Sequence, residues 1–177
     1  RQMCIRDRVE NGTLVVKEGD FGETQEGNRW YFRLWGEEGE RRQDDPYVKI
    51  TVPKGARLKA VSVDVPWDID LAANLSAEKL SVKTSYGEIK MEDWDGTNLS
   101  IYDENGDIKT GNLTGDKVEI TGVYGDLNIG CIESAQASLE AENGSVTVFA
   151  GTQGTLDVKN SYGDTNIYGM QKADAYG

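Results

Sequence analysis

From residue 61 onward, apolar residues return at fixed positions of a nineteen-residue frame. Val61, Leu80, Leu99, Val118, Ala137 and Leu156 share its first position, and Val63, Val82, Ile101, Ile120, Leu139 and Val158 its third. Ile89, Ile108, Leu127 and Val146 occupy the tenth, and Met91, Ile129, Val148 and Ile167 the twelfth. The fifteenth holds Leu75, Trp94, Leu113, Ile132, Gly151 and Met170. Apolar positions two apart predict strands with one face inward, because successive side chains leave a strand on opposite sides. Between the two halves of each repeat stands a glycine. Gly87, Gly106, Gly125, Gly144 and Gly163 follow one another at intervals of 19 with no insertion or deletion. Each repeat therefore reads as strand, turn at the glycine, strand, polar corner.

The residue before the glycine alternates Tyr86, Asn105, Tyr124, Asn143, Tyr162. A tight reversal needs positive φ, which glycine adopts without steric cost, so Gly106 and Gly125 are expected there. In the first repeat Asp68 takes the glycine column, and the following pair, Ile69 and Leu71, comes one residue early. That repeat is degenerate, as terminal units often are.

Two architectures share this alternation: a β-solenoid with one repeat per coil, and a series of hairpins closed at each glycine. Invariant length favours the solenoid, since hairpin loops drift in length whereas a stacked coil must keep its perimeter. The expected fold is all-β, a β-solenoid of nineteen-residue repeats with a small N-terminal β cap. Residues 1–8 (RQMCIRDR) resemble the translation of a transposase adaptor from sequencing libraries, of the kind met at the ends of metagenomic reading frames. They are set aside as non-native. Residues 9–57 lack the period but hold strand-like runs at 14–16, 30–35 and 47–52, ended by Pro53-Lys54-Gly55, and are read as the cap. Trp30, Trp35 and Trp67 are expected in its core. The repeats fill 58–177 and stop inside a seventh, which reads as truncation at the C-terminus. Any leader or membrane anchor would lie outside such a fragment.

Charge and chemistry narrow the function. The chain carries 31 acidic against 19 basic residues, a net charge of −12, with no basic cluster, so nucleic acid is not an expected partner. It has no histidine, which removes Ser-His-Asp, Cys-His and ordinary zinc chemistry. With Cys4 set aside, Cys131 is the sole thiol and makes no internal disulfide. No glycine-rich phosphate loop follows a strand and opens a helix. A carboxylate glycosidase or lyase would interrupt the columns with a loop or polar cluster, and nothing interrupts them from residue 80 to 174. No catalytic, cofactor-binding or metal residue is named, and the chain is expected not to be an enzyme.

Two surface rows remain. Glu88, Asp107, Asp126 and Asp164 form an acid row, read as solvated turn carboxylates rather than a calcium site. Trp67, Tyr86, Tyr124 and Tyr162 form an aromatic row that either packs over the turn or faces a ligand such as a sugar.

The unit φ-x-φ-x-x-x-[Tyr/Asn]-Gly-[Asp/Glu]-φ-x-φ, after the lead-in YVKITVPKGARLKAVSVDV, resembles the bacterial adhesin family of β-strand repeats. This domain of unknown function occurs mainly in cell-envelope proteins, and the resemblance runs from residue 47 to the end. It implies a non-enzymatic β-solenoid in membrane-anchored or exported proteins, located at the cell envelope or outside the cell. It offers no catalytic residue and no cofactor. The favoured expectation is thus a scaffold or adhesin-like binding module facing a cell-surface polymer or an envelope protein. The alternatives are a self-assembling solenoid of the bactofilin kind and a carbohydrate-active β-helix enzyme. Self-association is also expected through the last coil, 156–174, whose strands present open backbone groups.

Overall fold

The computed structural model describes residues 5–10, 13–18, 58–71, 75–151 and 154–169. The runs at 30–35 and 47–52, Trp30, Trp35, the Pro53 break, Met170 and the start of the seventh repeat lie outside them. Fourteen strands, with no helix among the described residues, join in one sheet. In chain order they are β1 (Ile5–Glu10), β2 (Thr13–Glu18), β3 (Leu58–Asp64), β4 (Ile69–Leu71), β5 (Leu75–Thr84), β6 (Ile89–Met91) and β7 (Trp94–Asp95). There follow β8 (Asn98–Asn105), β9 (Ile108–Thr110), β10 (Leu113–Tyr124), β11 (Leu127–Asn143), β12 (Val146–Ala150), β13 (Thr155–Tyr162) and β14 (Thr165–Gly169).

The pairing is that of a solenoid and not of hairpins. On the first face β3, β5, β8, β10, β11 and β13 lie parallel, and Val61, Leu80, Leu99, Val118, Ala137 and Leu156 stand side by side. On the second face Ile89, Ile108, Leu127 and Val146 do the same. Each partner is 19 residues along the chain, one full coil. Two local departures occur. Ile69 pairs with Ile89, a step of 20, so the corner of the first coil is one residue short, as the early Ile69–Leu71 pair requires. A bulge between Ile129 and Cys131 sets Ile132 beside Ala150 rather than Gly151, which corrects the fifteenth column in the fifth coil.

At the other end β2 pairs parallel with β3, and β1 pairs antiparallel with β2. Strand β1 takes in residues 5–8, within the segment set aside from its sequence. Ladder bonds use the backbone alone, so a strand can form there without an alternating side-chain pattern.

The columns meet inside the coil. Leu80, Leu99, Val118 and Leu139 are buried from the first face, and Ile89, Ile108, Leu127 and Val146 from the second. Leu113 and Ile132 close the third side together with Trp94, whose indole lies against Gly96 and Gly115. Each such side chain contributes roughly 1.5–3 kcal/mol on burial, too little for one coil to order itself, so stability comes from stacking.

The glycines have a different reason from the one their turns suggest. Gly87, Gly125, Gly144 and Gly163 have φ of 137°, 132°, 153° and 128°, but Gly106 is not among the positive-φ residues, which corrects the expectation for it. What Gly106, Gly125, Gly144 and Gly163 share is contact. A Cβ on any of them would run into the carbonyl of the glycine one coil earlier. The chain rounds the corner with its rungs still hydrogen-bonded: Gly106 N–H donates to Tyr124 O at 2.8 Å and Gly125 N–H to Asn143 O at 3.0 Å.

Gly125→Val adds a side chain both at an unfavourable φ and against a fixed carbonyl. It is expected to cost at least about 2 kcal/mol in denaturant unfolding. Gly169→Ala, where an added Cβ meets nothing within 4 Å, should stay within about 0.5 kcal/mol of the parent. Equal costs at the two sites would refute the close-approach account.

Candidate functional site

The corner after the first face is where the chain's unusual side chains collect, and it is built rung by rung. Past Gly87, Gly125 and Gly144 one amide points back toward the preceding coil and meets a side-chain carboxylate there. The acid row supplies the acceptor. Asp68 Oδ1 accepts from Glu88 N–H at 2.8 Å, Asp107 Oδ1 from Asp126 N–H at 2.9 Å, and Asp126 Oδ1 from Ser145 N–H at 2.8 Å. Glu88, one methylene longer, turns outward and pairs with Lys90 at 2.6 Å and Lys109 at 2.5 Å. The Lys109 bond, then the Lys90 bond, hold its carboxyl below the ordinary value. Asp107 and Asp126 of the row are thus corner caps, and Asp68 of the glycine column is a third. Among the described residues no three His, Cys, Asp or Glu gather as a metal shell. The opposite corner repeats the device: Asp93 Oδ1 accepts from Asn112 N–H at 2.7 Å, and Asn112 Oδ1 from Cys131 N–H at 3.3 Å. The half-buried Cys131 thiol is pushed up by burial, then by the Glu133 carboxylate.

On the near side of the glycines stands the aromatic row. Tyr86, Tyr124 and Tyr162 are 65%, 55% and 70% exposed, so their rings do not pack over the turn. They occupy alternate coils, with Asn105 beside Tyr124 and Asn143 between Tyr124 and Tyr162. At one rung per 4.8 Å or so, like rings recur about every 9.6 Å. Trp67 does not join them: it is half-buried on the shortened first corner, and its carbonyl accepts from Thr84 Oγ1 at 3.0 Å.

Beneath the same corner lies a column that the sequence reading missed: Thr84, Asp103, Gly122, Ala141 and Asn160. Alternation from the third column already turns it inward. Asp103 is fully buried. Its Oδ1 accepts from Asn105 N–H at 3.0 Å, and its Oδ2 has no hydrogen-bond partner among the described residues. Burial raises its pKa to about 6; the Asn105 amide pulls it back, and the Asp107 and Asp68 carboxylates push it further up.

The first face carries one other feature, a shallow open depression of about 280 Å³ over β3, β5 and β8. Ser62, Ser81, Ser100 and Lys79 line it, together with Lys117 of β10. Lys117 is already paired with Glu119 at 2.7 Å. Pockets that engulf small ligands are typically larger, ~300–1,000 Å³, and deep.

Coils of nineteen, a ladder of glycines at one corner and parallel faces throughout define a β-solenoid repeat domain. The chain belongs to the Toastrack family (DUF4097), whose model matches residues 3–176, a domain of unknown function. No curated protein and no solved structure matches it.

The caps make a mutational prediction. Asp126→Asn keeps an acceptor for Ser145 N–H and should change stability by less than about 0.5 kcal/mol, whereas Asp126→Ala should cost about 1 kcal/mol. Calcium should leave the melting temperature of the parent unchanged; a rise that Asp126→Asn abolishes would restore the row as a cation site.

Asp103 predicts a pH dependence. Its folded value, about 6, lies above the ordinary 3.8, so between these pH values the folded state holds the proton more tightly. Its contribution is fully present below pH 3.8 and lost as pH rises through 6. With allowance for the nearby solvent at the corner, the parent should lose about 1–2 kcal/mol across this window relative to Asp103→Asn. Urea midpoints measured for both chains at several pH values check it. Parallel pH profiles would show that Asp103 titrates normally.

Proposed function

We propose that this domain is a non-enzymatic scaffold of the bacterial cell envelope, an adhesin-like module that presents rigid rows of side chains to a cell-surface polymer or an envelope protein. The supporting observation is the outer surface of the coil. Equivalent residues are held in register on parallel strands for six rungs, and the described depression is shallow. Such a surface suits an extended partner lying along the axis better than a small substrate that must be enclosed. A carbohydrate-active site would need carboxylates converging on one scissile bond, whereas the corner carboxylates Asp68, Asp107 and Asp126 are spent on backbone amides.

Purified domain should sediment with isolated bacterial envelopes, saturably and without release of reducing ends from their polysaccharides. Retention in the supernatant at every envelope concentration would overturn the envelope reading. Steady release of reducing ends would replace it with an enzyme.

A further inference from the structure

We propose that the alternate-coil row of Tyr86, Tyr124 and Tyr162 is a binding strip for a neutral, extended β-1,4-linked glycan running along the solenoid axis. The proposal rests on the reading above, that the outer rows are presented to a polymer, and names the row and the polymer. Three observations carry it.

The first is exposure. Tyr86 and Tyr124 precede corner glycines whose N–H groups are bonded to the next rung, and Gly163 after Tyr162 lies against the carbonyl of Gly144, yet each ring stands mostly in solvent. A large ring held on a rigid backbone and left uncovered keeps its face available for stacking at little cost in ordering. Asn105, in the coil between the first two, is half-buried and bonded inward through Nδ2 to Ser85 O at 3.1 Å. It leaves a flat gap between the rings and not an obstacle.

The second is spacing. The rings recur at two rungs, about 9.6 Å. In an extended β-1,4-linked glycan each sugar is turned over relative to the last, so the same ring face returns once per disaccharide, a step of closely similar length. An added peptide strand repeats its side chains on one face at about 6.8 Å and falls out of step after one ring.

The third is charge. Glu104 and Glu142 stand exposed on the near side of the row, and Asp126 and Asp164 on the far side. With a net charge of −12 on the chain, these carboxylates repel polyanions such as uronates or phosphate polymers. A neutral sugar is not repelled, and its C–H faces match the rings. Polycations are attracted by charge alone, without regard to ring spacing, and serve as the competing outcome.

Affinity electrophoresis through gels containing hydroxyethyl cellulose tests the proposal, with alginate as the polyanion and soluble polylysine as the cationic competitor. The parent should be retarded by the cellulose derivative and not by alginate. Tyr124→Ala should weaken retardation at least 5-fold and Tyr86→Ala by a similar factor, while Tyr124→Phe should retain it. The two alanine variants remove exposed rings one at a time, so a failure of either to fold leaves the other as the test. Phe149→Ala, which removes a ring stacked on Tyr168 with centroids 5.0 Å apart on the second face, should leave retardation unchanged. No retardation of the parent overturns the proposal. So does sensitivity to Phe149→Ala in place of the tyrosines, or retention by polylysine alone. Envelope sedimentation of Tyr124→Ala separates the two readings. A parent that sediments with envelopes but is not retarded by the cellulose derivative, or a Tyr124→Ala variant that still sediments undiminished, removes the glycan strip from envelope binding but keeps the envelope module; a parent that does not sediment removes both.

Discussion

The molecule depends on how closely two backbones approach at the glycine corner. A parallel ladder holds its rungs about 4.8 Å apart, and the coil must turn sharply without losing that spacing. It does so by laying the Cα of each corner glycine against the carbonyl of the glycine below. No other residue type fits, whatever its preferred φ, because the obstacle is the neighbouring coil and not the residue's own backbone. The fixed perimeter follows: with the corner pinned, an added or missing residue must be absorbed elsewhere, as in the shortened first corner and the bulge after Ile129.

The acid row is a consequence of the same geometry. A corner that keeps the ladder on one side leaves an amide facing the preceding coil on the other, where a side-chain acceptor satisfies it. An aspartate one coil earlier reaches it with one methylene. Stacking carboxylates at rung spacing is unfavourable electrostatically, but each is charge-assisted by the amide it accepts from, and Lys90 and Lys109 offset the field around Glu88. Asp103 is the opposite case. It is buried at the same corner with only one of its oxygens satisfied, and burial, ahead of the neighbouring carboxylates, raises its proton affinity.

The columns, the coil and even the early Ile69–Leu71 pair were legible in the sequence, because side-chain alternation and a constant period act on every residue. What was not legible turns on backbone direction at the corners. The glycine spacing announced a turn but not the carbonyl beneath it, hence the wrong expectation for Gly106. The acid row read as solvated turns because nothing in its residue types tells that Asp107 and Asp126 face an amide of the next coil. Asp103 could have been found by extending the alternation one step past Ile101, but an acidic residue beside a turn invites the assumption that it points outward. The tyrosines were placed in the right column; whether a ring lies over the turn or leaves it depends on the corner's angle, which no spacing encodes.

The alternation of tyrosine and asparagine along one edge gives the array a parity. In the first column Leu99 and Val118 fill the same place, so the apolar ladder repeats with every coil, but along the tyrosine edge odd and even coils are distinct. Gain or loss of a single coil would keep the apolar columns in step and yet bring two like edge residues together or break their cadence. Lengths that preserve both core and edge therefore change by two coils at a time. The apolar columns of this chain repeat once per coil, while its surface pattern repeats once per pair.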